Sequence, residues 1–197
     1  MQQESTRRSN RDRTEATRAE LIAAARELFT RKSYAETGTP EIVAAAGLTR
    51  GALYHHFADK QALFAAVVEQ EAAAVAREID RASKPALSAR DALIAGSNAY
   101  LDAMRTPGRT RLLLLDGPAV LGRARMDAID NRHGNRTLRE GLVAAMRARS
   151  MTKLPAEALT ALLAAAFDRA ALAIEAGASA EDYRAVLTAL MDGLSRA

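Results

Sequence analysis

Apolar residues recur one helical turn apart along most of this chain. Between Thr14 or Glu15 and about Lys32, the residues Leu21, Ile22, Ala25, Leu28 and Phe29 share one face, which predicts a first amphipathic helix. A longer pattern runs from Asp59 to about Arg81, with Leu63, Phe64 and Val67 in its first part and Val75 and Ile79 in its later part. One helix can therefore serve two cores. Ser83-Lys84-Pro85 ends it, because proline disfavours helical geometry in the residue before it. Ser88 then caps a helix whose broad face holds Leu93, Gly96, Ser97, Tyr100, Leu101 and Met104, and Thr106-Pro107-Gly108 breaks it. The segment from Arg111 to Gly122 is apolar on all sides and predicts burial all round. Arg123 to Ile129 and Thr137 to Arg149 follow as amphipathic helices, the second with Leu138, Leu142, Val143 and Met146 inward. Two last stripes, Leu159 to Ala170 and Tyr183 to Leu194, flank a turn at Gly177-Ala178-Ser179. Alternating or β-branched runs of useful length do not occur, so the fold class is all-α.

Between the first helix and the long one lie two short helix patterns. Thr39 reads as an N-cap and Pro40 as the first helical residue, where its missing N–H would have had no partner, while Glu41 suits the positive end of the dipole. Ile42, Val43 and Ala46 stripe this helix, and Gly47 stands where a left-handed residue ends it. Leu48 plugs the corner. Thr49 caps a second short helix that turns Leu53 and Phe57 inward and leaves Thr49, Arg50, Tyr54 and His55 around its outer side and N-terminal end. That is a helix-turn-helix, whose second helix meets base edges and phosphates. Asp59 caps the long helix with Lys60 at its start, where a lysine gains nothing from the dipole and a phosphate would account for it.

These residues resemble the DNA-binding domain of TetR-family transcriptional regulators. The resemblance rests on Ala24-Ala25-Arg26-Glu27-Leu28-Phe29, Tyr34, Thr39, Ile42, the run from Ala45 to Gly51, Leu53-Tyr54-His55-His56-Phe57 and Lys60, over about the first third of the chain. It departs at Gly38, where the family more often has a bulkier or β-branched residue, so the start of the second helix is expected to be looser. The segment from Leu115 to Gly122 is similar to one found in a TetR subgroup at the floor of the C-terminal domain. The resemblance implies a three-helix helix-turn-helix DNA-binding domain over 15–62, after a disordered basic arm over 1–14, and a larger helical domain over 63–197 for ligand binding and dimerisation. It also implies three partners: double-stranded DNA with a palindromic operator, a second copy of the chain, and a small molecule.

Residue chemistry distributes the roles. Thr39, Tyr54, His55 and Lys60 carry donors suited to phosphate oxygens; Thr49, Arg50 and the open backbone at Gly51 lie nearest the bases. Arg7, Arg8, Arg11 and Arg13 give the arm phosphate or minor-groove contacts, or are a solvated tail. Tyr100, Met104, Leu113, Leu114, Met126 and Phe167 offer apolar walls for a small-molecule site, with Asn98, Asp116 and His133 as orienting groups, although ordinary core packing explains each singly. The last helix pair has more apolar surface than one neighbour needs, and the resemblance implies that Leu159, Leu163, Ala166, Ala170, Tyr183, Val186, Leu187 and Leu190 form the interface between two copies.

Composition narrows the alternatives. The chain has 197 residues, 49% of them hydrophobic, enough for a real core. No apolar run approaches the ~20 residues that cross a bilayer, and the polar N-terminus is no secretory signal, so a cytoplasmic protein without membrane contact is expected. With no cysteine, disulfides, thiolate metal sites and cysteine nucleophiles are excluded. A net charge of +4 only modestly favours a polyanionic partner. His55 and His56 point about 100° apart and cannot easily share an ion, so neither a metal nor another cofactor is called for. Ser97, Asp116, His133 and Ser150 could be drawn as a catalytic set, but none lies in a nucleophile elbow or a phosphate-binding glycine loop. The expectation is a ligand-responsive dimeric repressor released from its operator by a small apolar or amphipathic molecule; an activator or a ligand-independent DNA-binding protein of the same fold is the alternative, and an enzyme is not expected.

Overall fold

The computed structural model describes residues 2–83 and 88–194, with side chains from residue 12 onward. Four helices build the N-terminal part: α1 (Gln2–Lys32), α2 (Thr39–Ala45), α3 (Arg50–His56) and α4 (Lys60–Ala82). The expected disordered arm over 1–14 is corrected, since α1 already begins at Gln2. Its Gln, Glu and Arg residues are good helix formers, and no glycine or proline stops the helix from extending backwards. The side chains of Arg7, Arg8 and Arg11 lie outside the described residues.

Local chemistry fixes the short helices. The hydroxyl of Thr49 accepts from Ala52 N at 3.1 Å and the carboxylate of Asp59 from Ala62 N at 2.6 Å, so both caps form. Gly47 turns the chain with φ +65°. At α2 the cap is Gly38, not Thr39: Gly38 is extended, and its N–H donates to Glu41 Oε2 at 3.4 Å. Thr39 thus enters the helix and its hydroxyl is released for other partners. Inside, Phe29, Ile42, Leu53 and Phe64 are fully buried, with Phe64 edge-on to Phe29 at 5.2 Å and to Tyr34 at 4.9 Å.

The remainder comprises α5 (Ala89–Met104), a π-helical turn (Arg111–Asp116), α6 (Gly117–Leu121), α7 (Arg123–Arg132), α8 (Gly134–Arg147), α9 (Ala156–Glu175) and α10 (Ala180–Gly193). The Lys84-Pro85 stop falls outside the described residues, though α4 does end at Ala82. Burial all round in the segment after Arg111 is not what is found. Leu112 and Leu113 are buried, but Leu115 is 51% exposed. Pro118 has no N–H and its ring would press on the carbonyl four residues back; the wider turn, in which Gly117 N donates to Leu112 O, relieves this and rolls Leu115 outward. A Cβ on Gly117 would lie 2.8 Å from that same carbonyl oxygen, so only glycine fits.

The core around Phe29 and Phe64 continues along α4 through Val68, Val75 and Ile79 to Met104, Leu112 and Met126. A second core gathers Leu93, Leu101, Leu142, Phe167 and Leu187 between α5, α8, α9 and α10. Polar contacts reinforce the junction. Glu71 of α4 accepts from Arg26 Nε of α1 at 2.8 Å and from Arg109 Nε, in the turn after α5, also at 2.8 Å. Arg109 further donates to Glu78 at 3.1 Å and to the Ala103 carbonyl at 2.7 Å. In the same turn Gly108, at φ +74°, lies so close to α1 that a Cβ would meet Thr30 Cγ2 at 2.1 Å. Nearer the helix-turn-helix, Gln61 Nε2 donates to the Val120 carbonyl of α6 at 2.6 Å.

Burial alone would push the Glu71 carboxyl up, but hydrogen bonds and charge from Arg26 and Arg109 outweigh it and hold the group below its ordinary range. A depressed carboxylate contributes stability above its unfolded pKa and loses it as pH falls through the lower folded value. Glu71→Gln is therefore expected to cost about 3 kcal/mol at pH 7, because two guanidiniums lose the buried counter-charge they share, with the gap narrowing below about pH 4. Urea denaturation across that pH range checks both; a pH-independent difference would contradict the account.

Candidate nucleic-acid interface and ligand cavity

The exposed faces of α2 and α3 form one surface. The side chains of Thr39 and then Arg50 lie close enough to the Tyr54 phenol to lower its pKa. The Arg50 guanidinium sits 5.5 Å from the Tyr54 ring centre. Thr39, Arg50 and Tyr54 are thus brought together across the helix-turn-helix. Thr49 is at the same end, and although its oxygen caps α3 its hydroxyl proton remains available. His55 is exposed, its ring edge-on to half-buried His56 at 5.2 Å. Burial, then the charges of His55 and Arg18, hold His56 below the ordinary histidine value and so mostly neutral. Gly51 has no internal reason to be glycine: a Cβ there would meet nothing nearer than Thr49 Oγ1 at 3.8 Å. Its bare backbone leaves the first turn of α3 open to close approach.

Lys60 has a structural role that the sequence reading missed. Its Nζ donates to the carbonyls of Tyr34 at 2.9 Å and Thr37 at 3.0 Å and lies 4.2 Å from the Tyr34 ring centre. The ammonium binds the turn between α1 and α2 to the start of α4, a structural role beside the phosphate contact expected of it.

A cavity of about 850 Å³ lies between α4, α5, the π turn, α7, α8 and α9. That is the size of a small-molecule site. Tyr100, Leu113, Leu114 and Phe167 line it, with Ala72, Val75 and Ile79 of α4 along one wall. The other five expected residues do not. Asn98 lies two positions before Tyr100, on the far side of α5, where its Oδ1 accepts from Arg184 at 3.0 Å. Met104 and Met126 are buried in the core beneath, Asp116 pairs with Arg111 at 3.4 Å, and His133 meets Glu69 at 2.6 Å.

The sequence reading missed two carboxylates on the cavity wall, Asp130 of α7 and Asp168 of α9. Tyr100 donates its hydroxyl to Asp168 Oδ1 at 2.6 Å. Burial raises the Asp168 carboxyl, opposed by the Tyr100 hydrogen bond and the charge of Arg123. Burial, then the charges of Asp168 and Asp127, raises Asp130 to about 6, with Arg123 pulling the other way. Tyr100 is raised well above its ordinary value by burial and by Asp168. A signal did exist: Asp168 interrupts an apolar stripe, with Ala164 and Leu172 one turn to either side.

The outer faces of α9 and α10 carry exposed Leu162 (72% exposed), Val186 and Leu190. Of the residues assigned to a dimer interface, Val186 and Leu190 lie here and Leu159, Ala166 and Tyr183 are half-buried, but Leu163, Ala170 and Leu187 are corrected. Those three pack into the protomer's own core, because the apolar stripe of each helix is wide enough to serve both sides and its centre faces inward.

Comparisons agree across both parts of the chain. Residues 90–196 match the family model for the tetracyclin repressor-like C-terminal domain, and residues 21–67 that for bacterial regulatory proteins of the tetR family. The crystal structure of a TetR-family transcriptional regulator from Pectobacterium atrosepticum is 34% identical, covers 95% of this chain and 98% of its own, and superposes with a TM-score of 0.77. The transcriptional activator FasR of Mycolicibacterium smegmatis is 31% identical over 114 residues, 58% of this chain and 52% of that protein. The transcriptional repressor AcnR of Corynebacterium efficiens is 34% identical over 68 residues, 34% of this chain and 36% of that protein. The chain thus spans about half or less of these two curated relatives.

Two predictions follow from the geometry. Lys60→Met should lower the melting temperature by the equivalent of about 1 to 3 kcal/mol, since two carbonyls lose a charged donor. A Lys60 that also meets phosphate would in addition flatten the slope of log affinity against log salt by about 0.9, and one bound to phosphate alone would do so with melting unaltered. Asp130 has a raised folded pKa, so ionising it penalises the folded state, and wild-type stability should fall as pH rises from about 4 through about 6. Asp130→Asn should therefore be more stable than wild type by about 2 to 3 kcal/mol above pH 7 and lose that advantage below about pH 4. Denaturation curves at the two pH values check it.

Proposed function

Because the chain belongs to the TetR family of bacterial transcriptional regulators, we propose that it is a dimeric repressor that leaves its operator when a small molecule fills the cavity. The observation that carries the DNA-binding assignment is the contiguous surface of Thr39, Arg50 and Tyr54 beside the bare Gly51. Hydroxyls and the phenol suit phosphate oxygens, Arg50 suits a guanine edge, and Gly51 allows the backbone to approach. Two copies joined through the exposed apolar faces of α9 and α10 would present two such surfaces to a palindrome, with half-sites roughly 34 Å or a multiple apart. The setting is the cytoplasm; among the described residues no helix is long and apolar enough to cross a membrane. Occupying an operator is enough to exclude polymerase, so repression needs no surface beyond this one, whereas activation does.

Release is supported by how α4 is placed. Its first turn carries Lys60 under the helix-turn-helix, its middle carries Glu71, and Ala72, Val75 and Ile79 line the cavity. A ligand that favours one position of α4 shifts both recognition helices against their half-sites. Near-complete release requires a preference for the released form of about 5.5 kcal/mol.

The DNA upstream of the coding region provides the test. A palindrome there should be retarded in a gel by the purified dimer, and run-off transcription from it should fall. Gly51→Ala should abolish retention without loss of thermal stability, because alanine favours the helix by about 1 kcal/mol. Arg50→Ala should change preference at one base pair by about 1 to 3 kcal/mol. A monomer that retains no duplex at low salt would overturn the assignment, and equal weakening on every sequence by Arg50→Ala would remove its reading role.

A further inference from the structure

The chemistry of the cavity wall is lopsided. Among the described residues, Asp80, Asp127, Asp130, Glu140, Glu157 and Asp168 line it, against a single lining cation, Arg123. Four of the six acids are answered by neighbours: Asp80 and Glu140 by Arg136 at 3.0 and 2.9 Å, Asp127 by Arg123 at 3.0 Å, and Glu157 by Arg139 at 3.6 Å. Asp130 and Asp168 form no ion pair among the described residues. They stand beside Tyr100 and Phe167, whose rings meet edge to face at 5.9 Å and both line the cavity. The Tyr100 hydroxyl occupies one oxygen of Asp168, which leaves the other oxygen and the Asp130 carboxyl without a described partner.

We propose that this cavity binds a lipophilic organic cation, its charge held between Asp130, Asp168 and the Tyr100–Phe167 ring pair, its apolar body against Val75, Ile79, Leu113 and Leu114. Three physical arguments converge on that class. Half-buried carboxylates that no ion pair answers are costly, since the charge of Arg123 offsets only part of their burial, and a cation removes that cost where a neutral molecule leaves it in place. An anion would face two like charges in a site of low dielectric. Aromatic faces beside the acids add cation–π attraction for a charge spread over carbon groups, which does not need hydrogen-bond donors. The sign is opposite to that of the whole chain, whose net charge is +4, so attraction of a cation to this cavity is a property of the site. Binding stands on the cavity alone; release of DNA on binding rests on the regulatory reading above.

Tetraphenylphosphonium and tetraphenylborate have matching size and shape and opposite charge, and they test the assignment in calorimetric titrations of the full-length dimer. Wild type should bind the phosphonium at least tenfold more tightly than the borate. Asp168→Asn and Asp130→Asn should each weaken the phosphonium at least fivefold while leaving the borate unchanged or tighter. Thermal melts of both variants verify the fold. The proposal is overturned if the borate binds as tightly as the phosphonium, if the preference survives in both variants, or if neither ion binds. A gel shift with operator DNA keeps the two readings apart. Phosphonium that binds without releasing DNA leaves the cation site standing and removes ligand release; borate that alone binds and releases does the reverse.

Discussion

Glu71 is a buried carboxylate held by two guanidiniums from different parts of the chain, Arg26 on α1 and Arg109 in the turn after α5. Taking three charges out of water is expensive, so the arrangement is viable only when all three are in place. That requirement fixes how α1, α4 and the C-terminal helices sit against one another. It matters here because α2 and α3 are seven residues each and could not hold their places unaided. Their apolar sides rest on Phe29 and Phe64, that core continues unbroken along α4, and Glu71 lies midway along it.

The two ends of α4 do different work. At one end Lys60 ties the helix to the turn before α2, and at the other Val75 and Ile79 form cavity wall. A second route runs through the π turn, whose Leu113 and Leu114 line the cavity and whose continuation, α6, receives the Gln61 hydrogen bond at the DNA-binding end. Closely packed elements of this kind do not deform smoothly. A change in the cavity that moves α4 is carried to α3, since Glu71, Gly108 and Gln61 leave little slack between them.

Much of this was legible in the residues where local chemistry decides. Gly47, Thr49 and Asp59 dictate turn and caps by their own chemistry, whereas residue type alone picks out Tyr100, Leu113, Leu114 and Phe167 of the cavity wall together with Met104 and Met126, which belong to the core. What escaped depends on distant partners. Lys60 reads as a surface cation until the turn after α1 presents two carbonyls to it. Asp168 breaks an apolar stripe and so carries a local signal, but nothing along the chain reveals that Asp130 of α7 shares a cavity wall with it. The phase of α9 was uncertain for a related reason: its apolar stripe is wide, and only packing shows that Leu163 turns inward while Leu162 turns out.

The central claim is that filling the cavity repositions the recognition helices through α4. The chain has no cysteine, so one introduced at exposed Ala58, just beyond α3, gives a single spin label per protomer. Pulsed electron–electron resonance then measures the distance between the two labels of the dimer, with the cavity empty and saturated by whichever tetraphenyl ion it binds. The account predicts a shift of a few ångströms in the distance distribution, of the order that loses a half-site in the major groove. An identical distribution in the two states, under conditions where the bound ion releases DNA, would contradict it.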